Sequence, residues 1–244
     1  MAPSTRASIT AAAATFVAGA AFLGTRYLAL AVFVLTVALA LGWSRLTHMG
    51  RPFVTAGVIV SGSALALVAV LLGGQEPYLR YMTIALGAVV VASLVVEVFV
   101  PAQPGHVVNA VASTSAGGAI AVSASAWVAA DRTPGSAYLV VVGAITLAIA
   151  AVFSALTSRA GVNSFLTFLF GIGAGAGLGF VFPQMGWYGG MLVGAMAAAS
   201  VVLIHELYRR EPRPRSAWAG IASGIVPVLF AGVLVYLAGR LLVG

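Results

Sequence analysis

The 244-residue chain is 61% hydrophobic and 7% charged, with a mean hydropathy of +1.10. Soluble domains carry charge on about a quarter of their residues, so a core surrounded by water is excluded and the solvent is read as lipid. The net charge of +7 rests on twelve basic residues, all arginine; they sit at the ends of apolar runs, which points to insertion topology and anionic head groups rather than nucleic acid. The chain has no cysteine, so disulfides, thiolate metal sites and cysteine nucleophiles are excluded.

A membrane helix needs roughly 17–25 apolar residues. Nine such spans are predicted, at residues 9–23, 27–46, 53–72, 81–100, 107–130, 137–156, 164–182, 187–208 and 217–242. The first is short and alanine-rich; at about 1.5 Å per residue it barely crosses a hydrocarbon core. The segment before it carries one arginine and has no turn-rich exit, so it is expected to be retained rather than cleaved. Pro101 closes the fourth span, and Asp131-Arg132-Thr133-Pro134-Gly135 marks a loop after the fifth. The predicted fold class is an all-α polytopic bundle of about nine helices.

Alternating the spans across a bilayer places Arg6, Arg45, Arg51, Arg159, Arg209, Arg210, Arg213 and Arg215 on one side and Arg26, Arg80, Arg132 and Arg240 on the other. The side richer in arginine is the cytoplasmic one. The expectation is therefore a bacterial cytoplasmic membrane protein with its N-terminus inside and its C-terminus outside. The densest cluster, residues 209–215, follows the eighth span directly and fixes this orientation.

A faint internal echo recurs at an offset of about 110 residues. Gly42-Trp43-Ser44-Arg45-Leu46-Thr47 answers Val152-Phe153-Ser154-Ala155-Leu156-Thr157, and Val95-Val96-Glu97-Val98-Phe99 answers Ile204-His205-Glu206-Leu207-Tyr208 one residue out of step. This predicts one integral membrane domain with an added first helix (1–24) and two parallel repeats of four helices (25–133 and 134–244), related by an axis along the membrane normal.

Polar residues inside the spans are the functional candidates, because ionisable groups in a bilayer usually face a partner or a water-filled space. Glu97 and Glu206 lie near the cytoplasmic ends of their spans, where pairing with a nearby arginine is the plainer reading. His205 adjoins Glu206, but helix neighbours point about 100° apart, and no histidine–carboxylate spacing suits a metal; metal and cofactor sites are not expected. The fifth span carries Asn109, Ser113, Thr114, Ser115, Ser123 and Ser125, so it is expected at the centre of the bundle, with Asn109 near Glu97. Packing and a polar pathway are both open for it. In the seventh span Gly171, Gly175 and Gly179 form one small stripe, and Gly173 and Gly177 form another. Neighbours can then approach on both sides, or the helix can break at mid-membrane.

Arg209, Arg210, Arg213 and Arg215 are candidates for gripping a phosphate or lipid head group, or for enforcing topology alone. No nucleophile elbow, P-loop or assembled acid–base pair is present, so no catalytic residue is assigned. The second span ending Leu41-Gly42-Trp43, together with Tyr208-Arg209-Arg210-Glu211-Pro212-Arg213-Pro214-Arg215, resembles uncharacterised multi-pass membrane proteins of actinobacteria. That resemblance implies a cytoplasmic-membrane protein and brings no activity with it. The leading expectation is a non-enzymatic permease or accessory protein handling a lipid-like or amphipathic solute or supporting a cell-envelope complex, with anionic lipids and a membrane-protein partner as its company. The alternatives are a membrane enzyme acting on a lipid phosphate, with His205 or Glu206 as base, and a packing subunit.

Overall fold

A computed structural model describes residues 3–48, 51–100, 105–133, 138–157, 159–210, 214 and 216–243. They form helices and no strand, in nine columns: α1 (Pro3–Leu23), α2 (Thr25–Leu46), α3 (Pro52–Leu72), α4 (Met82–Phe99), α5 (Val107–Arg132), α6 (Leu139–Phe153), α7 (Ala160–Val181), α8 (Gly186–Arg209) and α9 (Ala217–Val243). All but α6 are long and apolar enough to cross a membrane. Residue 137, at the start of the sixth predicted span, lies outside the described residues.

The first helix is longer than its apolar run. It starts at Pro3 and carries 21 residues, because proline at a first helical position gives up an N–H that has no partner there anyway. At about 1.5 Å per residue that length crosses a core of about 30 Å. Gly24, at φ 119°, separates α1 from α2, and Gly186, at φ 69°, opens α8; a side chain would strain either backbone.

α5 is one column in two segments, Val107–Ser123 and Ser125–Arg132. The Ser123 and Ser125 hydroxyls donate to the carbonyls of Ala119 and Val122, each at 2.7 Å, back-bonding of the kind that bends helices. α5 itself packs on α2, α3, α4, α6 and α9. α9 packs on α1, α2, α5, α6 and α8 and is the more enclosed of the two, with 72% of its apolar window buried against 39% for α5. Serines that bond their own helix need no central position. Only the short second segment of α5 is enclosed: Trp127 is fully buried there and donates from Nε1 to Val228 O of α9 at 2.8 Å.

α4 and α7 lie outermost, with 17% and 22% of their windows buried. α7 runs unbroken through the five alternating glycines from Gly171 to Gly179, so the discontinuous helix allowed by the sequence does not form. Gly171, Gly175 and Gly179 lie directly on Gly186, Gly190, Gly194 and Ala198 of α8, where any added methyl would collide with backbone or with the Ala198 methyl. Gly173 and Gly177 meet nothing within 4 Å. The second small stripe therefore faces outward, and only one neighbour uses the glycines.

Polar contacts between helices join residues expected at the same end of the bundle. At the arginine-rich rim Arg51 pairs with Glu97, the Arg6 guanidinium lies 4.5 Å from the Tyr208 ring centre, and Trp43 Nε1 donates to Ser113 O at 2.9 Å. At the opposite rim Thr25 donates to Asp131 at 2.6 Å, Arg240 pairs with Glu76 at 2.7 Å, and Arg132 donates to carbonyls at the end of α3, at Val70 and Leu71, and to that of Gly73 just after it. These contacts fit helices that alternate in direction along the chain, α1 included.

Candidate functional site

The C-terminal end of α8 divides two recesses. α8 stops at Arg209, and the Arg210 N–H closes the last turn on Leu207 O. Residues 205 and 208 fall on one face of this turn and residues 203, 207 and 210 on the other, with Glu206 between, as about 100° per residue requires. The two faces meet different neighbours.

On the first face His205 and Tyr208 line a small cavity of about 10 Å³ with Arg6 and Thr10 of α1, Ser154 after α6 and Pro227 of α9. That volume suits a single water. Thr10 donates to Gly224 O at 2.7 Å, and Arg6 Nε is buried without a hydrogen-bond partner among the described residues. Such an unmet donor costs about 1–3 kcal/mol unless water supplies the acceptor.

On the second face Leu203, Ile204, Glu206, Leu207 and Arg210 line a groove with Ile120 of α5 and Phe230 of α9, of about 530 Å³. α9 forms its floor, since it packs against both α5 and α8. The groove opens sideways, because Leu203 and Leu207 are exposed. Its walls are apolar, and its only charged lining residues are Glu206 and Arg210, at the arginine-rich rim. Ser164 of α7 donates to Glu206 Oε1 at 2.7 Å, and Arg209 Nη1 lies 3.5 Å from the same oxygen. The carboxylate is thereby held in place while its side chain remains 44% exposed.

The other polar candidates lie elsewhere. Glu97 pairs with Arg51 rather than Asn109, and Asn109 is exposed. Ser115 shares a 3.1 Å hydrogen bond with Ser93 of α4, Thr114 is buried, and the Ser113 hydroxyl is buried with no partner among the described residues. None of these lines either recess of α8. His205 and Glu206 also do not converge on one pocket, since each lines a different recess. Arg213 and Arg215 lie outside the described residues, so the basic cluster is represented by Arg209 and Arg210.

Three contributors carried no distinct sequence signal. Ser164 is one serine among many, and nothing in its surroundings marks it as the partner of a carboxylate forty-two positions on. Arg6 is an ordinary topology-setting arginine until Tyr208 is found beneath it. Asp131, read as a loop residue, lines a third recess of about 250 Å³ at the opposite rim with Ala21, Phe22 and Tyr138. Among the described residues no group of three or more histidine, aspartate or glutamate side chains is placed to hold a metal.

The fold and these recesses define an apolar, polytopic helical bundle, consistent with a multi-pass integral membrane protein. Comparison with protein-family models, with curated proteins and with solved structures finds no match for this chain.

Proposed function

We propose that this chain is a non-enzymatic membrane protein of permease or accessory type, handling a lipid-like or amphipathic solute through the groove between α5 and α8. The observation that carries this reading is the groove itself: apolar walls around about 530 Å³, open to the side, with charge only at the rim. A solute with a hydrocarbon chain enters such a space laterally from a leaflet and keeps its polar end at the interface. A head-group enzyme needs a base and cations around one pocket; His205 and Glu206 line different recesses, so the two do not act together on one head group.

The reading includes a cytoplasmic membrane location with the arginine-rich rim inside, in line with the actinobacterial resemblance. The parallel duplication stays a proposal about ancestry. The outermost helix is third in the first quartet, α4, and second in the other, α7, so any shared origin has not preserved packing.

Purification into nanodiscs followed by native mass spectrometry tests the reading. Wild-type protein is expected to retain a bound amphiphile, and Leu207→Trp, which fills the groove from an exposed position, is expected to lose it without loss of folded protein. Equal retention by both proteins sinks the proposal. Orientation is checked by labelling single cysteines placed at Ser4 and Leu242; the absence of native cysteine makes the background clean, and labelling of Ser4→Cys from outside intact cells overturns the assigned sidedness.

A further inference from the structure

We infer that the recess at the arginine-poor rim binds a small organic cation of the primary-amine type, with the Asp131 carboxylate as its counter-charge. This site lies at the rim opposite Glu206 and does not depend on the groove.

Among the described residues there are four carboxylates, and three of them have an arginine: Glu97 with Arg51, Glu206 with Arg209 and Glu76 with Arg240. Asp131 is the exception. The Thr25 hydroxyl donates to its Oδ2 at 2.6 Å, and Oδ1 has no hydrogen-bond or ion-pair partner among the described residues. The arginines of the same rim are committed elsewhere. Arg132 donates to carbonyls at the end of α3 and lies over the Tyr78 ring, Arg240 is held by Glu76, and Arg80 lies 4.6 Å over the Tyr81 ring. Arg26, next to Thr25 in α2, is exposed and pairs with no carboxylate among the described residues. An acidic side chain in a membrane helix usually faces a partner or a water-filled space, and here the space is present.

Asp131 opens on the recess of about 250 Å³, whose other walls are Ala21 and Phe22 at the end of α1 and Tyr138, Val140 and Val141 at the start of α6. A helix C-terminus and a helix N-terminus carry opposite partial charges of about half an elementary charge each. They offset one another across the recess, so the carboxylate sets its sign.

The walls set the body of the ligand. Phe22 and the two valines are apolar, and the Tyr138 ring is held by stacking on Phe182, with ring centres 4.4 Å apart. Aromatic walls add attraction for an ammonium. A bare divalent metal ion takes about six oxygen ligands, whereas Asp131 is the one carboxylate in this lining. A primary ammonium on an apolar body uses both parts of the recess. Its N–H groups reach Oδ1 in a charge-assisted bond, which a quaternary ammonium cannot make for want of a donor.

The test titrates the full-length protein in nanodiscs with para-fluorobenzylamine, para-fluorobenzyl alcohol and para-fluorobenzoate, read by fluorine NMR line broadening against empty nanodiscs. The three probes share a ring and differ in charge. Wild type is expected to bind the amine about three- to tenfold more tightly than the alcohol, the range for one charge-assisted bond at a partly exposed site, and the benzoate most weakly. Asp131→Asn keeps an acceptor for Thr25 and is expected to bring the amine down to the affinity of the alcohol. Val141→Phe fills the recess away from the carboxylate and is expected to weaken amine and alcohol together. Equal binding of amine and alcohol by wild type, tightest binding of the benzoate, or an amine preference that survives in Asp131→Asn overturns the assignment. Amine binding that persists in Val141→Phe, or that is lost in Leu207→Trp at the other rim, places the amine elsewhere and overturns it as well.

Discussion

The two flanks of α8 differ in how they meet their neighbours. Toward α7, Gly186, Gly190 and Gly194 face Gly171, Gly175 and Gly179, and the backbones touch. Toward α5, the same helix presents Leu203, Leu207 and Arg210, and a groove of about 530 Å³ stands between them. In lipid there is no hydrophobic force to close a gap between apolar side chains, so helices join where small residues let backbones approach. The glycine flank is a seam, and the leucine flank keeps an open groove.

The comparison breaks most severely at the seam. Gly190→Leu drives a side chain into the Gly175 carbonyl, with no flexible neighbour to yield; overpacking of this kind costs about 1–3 kcal/mol and often more. The expected outcome is a large drop in the folded, monodisperse fraction on size-exclusion chromatography in detergent. A normal elution profile would show that the seam is not a tight contact.

Next in size is a clamp at the opposite rim. Arg132 donates to the terminal carbonyls of α3 and lies 4.5 Å over the Tyr78 ring. Arg132→Gln is expected to cost about 1–2 kcal/mol by removing charge-assisted bonds at a helix C-terminus, seen as a lowered midpoint of thermal unfolding. An unchanged midpoint would assign the end of α3 to water instead.

Leu207→Trp sharpens the contrast from the other flank. Because Leu207 faces the groove and is 62% exposed, the unfolding midpoint is expected to move within about 0.5 kcal/mol of wild type, while bound amphiphile falls. A large destabilisation would mean that the groove is a packed interface. Smallest of all is Gly177→Leu. It lies on the same helix as the seam glycines but meets nothing within 4 Å, so stability is expected to stay within about 0.5 kcal/mol in the same thermal assay. A loss comparable to Gly190→Leu would place an unseen neighbour on the outer face of α7.

Much of the architecture was legible because the bilayer constrains it strongly. A backbone in hydrocarbon must satisfy its own hydrogen bonds, so each long apolar run had to be a helix. The fit of those helices to two rims is visible in Arg51 meeting Glu97 and Arg240 meeting Glu76. The start of α1 at Pro3 was missed because residues 3–8 are too polar to register as hydrocarbon-spanning, although they continue the same hydrogen-bonded helix. The site was legible only in pieces. Glu206 and His205 stood out as ionisable groups in a span, yet their partners come from α7 and α1, far along the chain. The hydroxyls of α5 were a poor guide to its neighbours, because a serine's polarity can be absorbed by its own helix, as Ser123 and Ser125 show.

What the sequence alone determined is the material of this protein: nine apolar segments, arginines favouring one rim, and glycines spaced to let helices touch. Tertiary structure alone decided which of two glycine stripes became a seam, that α9 is more enclosed than α5, and that a groove remains beside Glu206. The reason is physical. Helix formation in lipid depends on local backbone needs that each segment carries within itself, whereas the choice of neighbour depends on small differences in packing between many apolar surfaces, which only the assembled bundle resolves.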